Sequence, residues 1–189
     1  MLRDLVLQNR SYRRFDESVR VEIDTLRGLV DLARLSASAR NAQPLRYVLS
    51  SDPERNAAIF ECLSWARDLK DWAGPEEGER PSAYIAILGD TRTSSTFGCD
   101  HGIAAQSIML GATEKGLGGC MMASVDREKL RGTLRIEPVY EILLVLALGK
   151  PVEHVVIDAA EPDADVKYWR DSRGTHHVPK RRLEDVIVG

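Results

Sequence analysis

Ile142 to Leu148 is the longest uninterrupted apolar run in the chain. It is far shorter than the ~20 apolar residues that a membrane-spanning helix needs. Apolar and polar residues do not alternate within it. Tyr140 to Leu148 therefore reads as a strand buried on both faces. The other elements follow from spacing. Leu2, Leu5 and Val6 recur as on a helix, which stops near Asn9. Ile23, Leu26, Leu29, Val30 and Ala33 share one helical face. Arg46 to Ser50 and Tyr84 to Leu88 read as strands. Asp52 and Pro53 cap and open a helix that carries Ile59, Leu63 and Ala66 inward. Asp100 to Lys115 reads as a helix stopped by Gly116. Its Gly102, Ala104, Ala105, Gly111 and Ala112 permit close approach of another helix, in the core or across a subunit interface. Gly118 to Ala123 reads as a short strand or extended turn, and Asp126 as a further cap. Helices precede strands as often as they separate them. The fold class is thus α+β rather than a doubly wound sheet.

With 189 residues the chain suits a single domain, 1–189. A net charge of −3 argues against a nucleic-acid partner, which calls for a basic surface. Cys62, Cys99 and Cys120 form no C-x-x-C pair, and the N-terminus has no apolar leader-like stretch. The expectation is a reduced, cytoplasmic setting with no membrane association. His101, His154 and the adjacent His176 and His177 lack metal-binding spacing, so no metal is expected. Gly74 to Pro81 is acidic and turn-rich, a candidate mobile surface loop. Residues from about 150 onward lack a long apolar period and end in an apolar stretch, Asp185 to Val188, read as a strand. A tail without its own core is expected to pack along something else.

Four clusters carry chemistry beyond their bland readings. Arg10, Ser11, Arg13 and Arg14 form either a solvated basic turn or an anion site, since guanidinium forks suit phosphate. Ser38, Asn41 and Gln43 form either a helix exit and turn or a polar edge for a heteroaromatic ring, because amides both donate and accept. Gly116-Leu117-Gly118-Gly119 lacks the lysine of a phosphate-binding P-loop and leads into a strand, not a helix. It is a turn, or a backbone lying close to a ligand. Lys180-Arg181-Arg182 is a solvated basic tail or the completion of an anion site.

Taken together, these clusters resemble the nitroreductase family over nearly the whole chain. Arg10-Ser11-Tyr12-Arg13-Arg14-Phe15 is similar to its N-terminal Arg-Ser-x-Arg-x-Phe motif. Ala37-Ser38-Ala39-Arg40-Asn41-Ala42-Gln43-Pro44 is similar to its Pro-Ser-x-x-Asn-x-Gln-Pro loop. Asp100 to Gln106, with Gly116 to Cys120, resembles its central helix and glycine turn. Val178-Pro179-Lys180-Arg181 resembles its C-terminal phosphate segment. The resemblance implies a sandwich with a mostly antiparallel sheet flanked by helices. It also implies an intertwined homodimer in which residues of about 150–189 wrap the partner and exchange a C-terminal strand. FMN would be the cofactor, its phosphate held by Arg10, Ser11, Lys180 and Arg181. Arg13 would face the N1–O2 edge of the ring. Ala37, Ser38, Ala39, Asn41 and Gln43 would meet the ring and ribityl chain from the other subunit, and Met121, Met122 and Ala123 would run past the ring. The implied reaction is ping-pong hydride transfer from NAD(P)H to a small oxidised acceptor such as a nitroaromatic or quinone. No side chain is expected as catalytic acid or base, since the chemistry is the flavin's. The same fold also hosts a flavin-destroying oxygenase and a reductive dehalogenase, and a non-catalytic FMN-binding protein is a further alternative. Asn9, Ala37, Ser107, Met121 and Ala123-Ser124 depart from the family pattern. The last of these lie near the ring, so they bear on the acceptor more than on FMN.

Overall fold

A computed structural model describes all 189 residues. Its centre is β5 (Tyr140–Pro151), which carries the apolar run. One edge of β5 pairs antiparallel with β3 (Ala83–Asp90), and β3 pairs in turn with the edge strand β2 (Leu45–Ser50). The other edge of β5 is shared by β4 (Gly118–Met122) and the two-residue β1 (Phe15–Asp16). All five strands are antiparallel neighbours, as an α+β chain requires.

Side chains on successive strand residues point to opposite faces, and both faces are covered. Ile85 and Ile87 of β3 and Leu146 and Leu148 of β5 face α2 (Ile23–Arg34) and α4 (Asp100–Glu114), meeting Leu26, Leu29 and Ile108. Tyr84, Ala86 and Leu88 face the other way with Val145 and Ala147, meeting Ile59 of α3 (Pro53–Phe60) and Leu130 and Leu134 of α5 (Arg127–Leu134). Asp52 caps α3 by accepting from the Arg55 N–H, and Asp126 caps α5 by accepting from the Lys129 N–H. α1 (Leu2–Gln8) lies against α4. Gly111 lets α2 and α4 approach, because a Cβ there would sit 2.4 Å from Leu32.

Several expectations are corrected. α3 ends at Phe60, so Leu63 and Ala66 lie beyond it; Leu63 makes a bridge to Val125, and Ala66 turns the chain with φ 35°. The 74–81 segment is tied down: Gly78 and Glu79 carbonyls accept from the Glu17 and Phe15 N–H groups. Arg14 is not a solvent-facing arginine; its guanidinium grips Glu79 through Nε (2.6 Å) and Nη2 (2.5 Å). That bond holds the Glu79 carboxyl below its ordinary range. The tail is a sheet of its own. β6 (Val155–Ala159) runs parallel to β8 (His176–Lys180), and β7 (Trp169–Arg170) pairs antiparallel with β8. Residues 185–188 form no strand, and Val186, Ile187 and Val188 are exposed.

Gly119 joins fold to site. Its carbonyl accepts the Tyr12 N–H at 2.9 Å, which lays the Arg10–Arg13 segment along β4. A Cβ at Gly119 would fall 2.3 Å from the Ala147 carbonyl oxygen, whereas one at Gly28, inside α2, meets nothing within 4 Å. Gly119→Ala is expected to cost about 1–3 kcal/mol by overpacking, and Gly28→Ala to gain about 0.5–1 kcal/mol; urea unfolding of the two variants checks both signs.

Candidate functional site

The turn after α1 brings two arginines to different tasks. Arg10 folds back on α1, its Nε and Nη2 donating to the Asn9 and Val6 carbonyls at 2.6 and 2.8 Å. Those carbonyls lack helical donors, so a cation there is doubly favoured. Arg13 is buried. Its Nη1 donates to the Ser11 carbonyl and to His176 Nε2, each at 3.3 Å, and its guanidinium lies 4.7 Å from the centre of the Tyr168 ring. Glu153, just past β5, accepts the Arg13 backbone N–H at 2.8 Å with one oxygen and the Arg170 guanidinium at 2.5 Å with the other. A buried carboxylate is tolerated because both oxygens are so engaged.

His176 has no exposed surface. Burial drives its pKa down to about 4. The ring is neutral near pH 7, and Nε2, which accepts from Arg13, leaves the proton on Nδ1. That N–H is buried with no acceptor among the protein atoms. Cys120 lies behind Arg13, and burial pushes its thiol pKa up, so it stays a thiol. His177 points away from its neighbour, stacking on Trp169 at 4.0 Å with Nδ1 2.9 Å from Asp158.

Around this network opens a cleft of 350 Å³. It brings Arg10, Ser11, Arg13, Met121 and Lys180 together with Gln106 of α4, Tyr168 and His176. No Asp or Glu lines it, and the Lys180 ammonium makes no ion pair. A second cleft of 820 Å³ shares Arg13, Met121 and Tyr168 with the first and continues past Met122 and Ala123 to Trp65, Arg67 and Arg127. β4 is bordered by β5 on one edge; its other edge carries only the Ser11 bridge at Gly119.

Arg181 lies outside both clefts, donating to the Pro162 carbonyl at 3.0 Å, and Arg182 pairs with Glu161. The 37–43 loop is also elsewhere. Ser38 Oγ donates to Asp100 at 2.6 Å and the Ala39 N–H donates to the same carboxylate at 3.0 Å. Gln43 N–H donates back to Ser38 Oγ, and Arg40, Asn41 and Gln43 all take positive φ. Ala37, Ser38 and Gln43 line a separate cleft of 170 Å³ with Asp100 and Ala104 of α4. A helix turns about 100° per residue, so Asp100 and Ala104 lie roughly opposite Gln106 and Met109. The loop and the arginine cleft therefore occupy opposite faces of α4.

Glu153, Tyr168 and His176 were missed as site residues. Glu153 is one of many carboxylates, and nothing in Pro151-Val152-Glu153 marks it. His176 carries no metal-binding spacing, and a single hydrogen bond to an arginine needs none. Tyr168 precedes a two-residue strand with no periodicity to reveal it.

The chain folds like solved members of one group. A nitroreductase family protein from Streptococcus pneumoniae TIGR4 matches over 100% of both chains at 16% identity, with a TM-score of 0.71. An FMN-dependent nitroreductase from Clostridium difficile R20291 matches at 21% identity over 89% of this chain and 97% of its own, with a TM-score of 0.66. CLA-ER, an enone reductase of gut-bacterial fatty acid saturation metabolism, matches at 19% identity over 81% and 90%, with a TM-score of 0.68. The sequence model of the Nitroreductase family spans residues 6–150, most of the chain, and the protein belongs to that family of oxidoreductases.

Proposed function

We propose that the protein binds FMN in the acid-free cleft between the α1–β1 turn and β8, and uses it to pass reducing equivalents from NAD(P)H to a small oxidised acceptor. The observation that carries this reading is the donor set. Arg10, Ser11, Arg13, Gln106 and Lys180 converge on one cleft that no carboxylate enters. Such a surface suits a phosphate monoester and the polar chain attached to it. The buried Nδ1–H of His176 adds a donor lacking a partner.

When bound, FMN supplies the hydride-accepting and hydride-donating chemistry. The chain's residues do the rest. Lys180, Arg10 and Ser11 hold the phosphate. Arg13 would stand as a fixed cation toward the N1–O2 edge of the ring, where reduction places negative charge. Its direction is set by the Ser11 carbonyl, His176 and the face of Tyr168, so it has little to reorganise when that charge arrives. Met121, Met122 and Ala123 would flank the ring, and the larger cleft beyond them would give nicotinamide and acceptor the same space in turn. Nitroaromatics and quinones are the acceptors proposed.

The Ser38–Gln43 loop joins this site only from a second copy, since within one chain α4 stands between them. Exposed Leu2 and Leu7 on α1, Leu32 and Leu35 at α2, and Ile103 on α4 offer such a copy an apolar face. The exposed Leu183 and Val186 to Val188 would lie along it, wrapping the homodimer.

The decisive experiment is the visible spectrum of the FMN-loaded protein under anaerobic NADH or NADPH. Bleaching followed by recovery on adding a quinone or nitroaromatic is expected; flavin that stays oxidised with both donors would point to a non-catalytic binder. Lys180→Ala is expected to weaken FMN about tenfold to a hundredfold, the worth of one charge-assisted hydrogen bond. Arg181→Ala is expected to weaken it less, because that guanidinium is engaged with Pro162; fluorescence titration of FMN measures both. His176 has a pKa of about 4 when folded, against 6.5 for the ordinary side chain. The unfolded chain binds the extra proton first, so stability falls as pH drops from 6.5 towards 4. His176→Gln should flatten that part of the stability profile, measured by urea unfolding across the window.

A further inference from the structure

A fourth cavity, of 270 Å³, lies between α3, the start of β3 and the turn after β1, and shares no lining residue with the flavin clefts. Tyr84, which is 1% exposed, lines it, and its hydroxyl has no hydrogen-bond partner. Beside it Ser82 Oγ and Arg80 Nε are also buried without partners. Native folds leave few such groups. Three around one cavity indicate a shared partner rather than three separate defects.

The chemistry of that partner follows from the lining. Arg80 stacks on the Phe60 ring at 4.3 Å, which fixes the plane of its guanidinium, and it pairs with no carboxylate. Arg20 at the rim is likewise without an ion pair. Glu17 is the lining's one acid, and its Oε2 is occupied by the Gly78 N–H at 2.6 Å. Asn56 is held in the wall: Oδ1 accepts from Ser50 and Nδ2 donates to the Ser82 carbonyl. Burial holds the Tyr84 phenol protonated, so it is available as a donor. Against that one carboxylate the lining sets two guanidiniums and the Ser82 and Tyr84 hydroxyls, so positive charge is in excess. A volume just below the roughly 300–1,000 Å³ of ordinary ligand pockets leaves no room for a dinucleotide or a second flavin.

We infer that this cavity is a second ligand site, taking a small oxyanion, carboxylate or phosphate, on the Arg80 guanidinium and the Ser82 and Tyr84 hydroxyls. Planar, stacked arginine is the side chain suited to a two-oxygen acceptor, and Ser82 and Tyr84 line the same cavity.

The test uses the protein saturated with FMN. Its thermal midpoint is followed while inorganic phosphate or malonate is added at constant ionic strength, with chloride as the control. A saturable rise with phosphate, malonate or both is expected, the stronger response naming the source. Arg80→Gln should weaken the response at least tenfold. Tyr84→Phe should leave the anion-free midpoint unchanged or higher, since it removes an unpaired hydroxyl, while weakening the anion response. The proposal is overturned by the absence of any saturable rise, or by a response in both variants equal to that of the unsubstituted protein. Release of free flavin fluorescence in step with the rise overturns it too, because it assigns the anion to the flavin cleft. A Tyr84→Phe midpoint that falls with no anion response marks the hydroxyl as water-bonded and overturns it as well.

Discussion

Glu153 is the point on which the two ends of the chain turn. Its carboxylate is wholly buried, and it accepts from the Arg13 backbone with one oxygen and from Arg170 with the other. A carboxylate in that position is stable only while both donors stay. The N-terminal segment and the C-terminal sheet are therefore tied to each other through one residue placed just after the central strand, and Arg13 adds its own contacts to His176 and Tyr168. The arginine-lined cleft is the gap left between segment and sheet. Removing the carboxyl would leave the Arg170 guanidinium without its anion and free the backbone that aims Arg13, so site geometry and local stability are one quantity here.

Around that link the charges are sorted. Carboxylates hold the arginines that serve the scaffold: Glu79 holds Arg14, and Asp90, its carboxyl brought down to about 2 mainly by hydrogen bonding to Arg92, holds the β3 end. The arginines of the acid-free cleft are oriented by carbonyls, a neutral histidine and an aromatic face instead. Those partners fix direction without cancelling charge. The distinction explains how a chain of net charge −3 keeps a strongly cationic cleft.

The sheet was largely legible in the sequence because burial on both faces leaves an unbroken apolar run, and the caps at Asp52 and Asp126 are local chemistry. The four motif clusters were legible through their order. Three of them contribute lining to clefts, and the glycine turn positions β4. The tail misled because its strands are short and half-exposed, held by pairs such as His177 with Asp158 rather than by an apolar face. The partners of Arg14 and Arg181 were hidden for a related reason. Adjacent arginines look alike in a sequence, and only the carboxylate or carbonyl within reach, often far along the chain, decides which one stays free.

The two faces of α4 carry a consequence for assembly. One face borders the arginine cleft and the other anchors the Ser38 loop through Asp100. Under the dimeric reading, each flavin is clasped by one face from each copy. Uptake of cofactor and association of chains then become a single equilibrium, and mass action links them. Dilution would shed flavin, and flavin would hold subunits together at concentrations where the empty chains part.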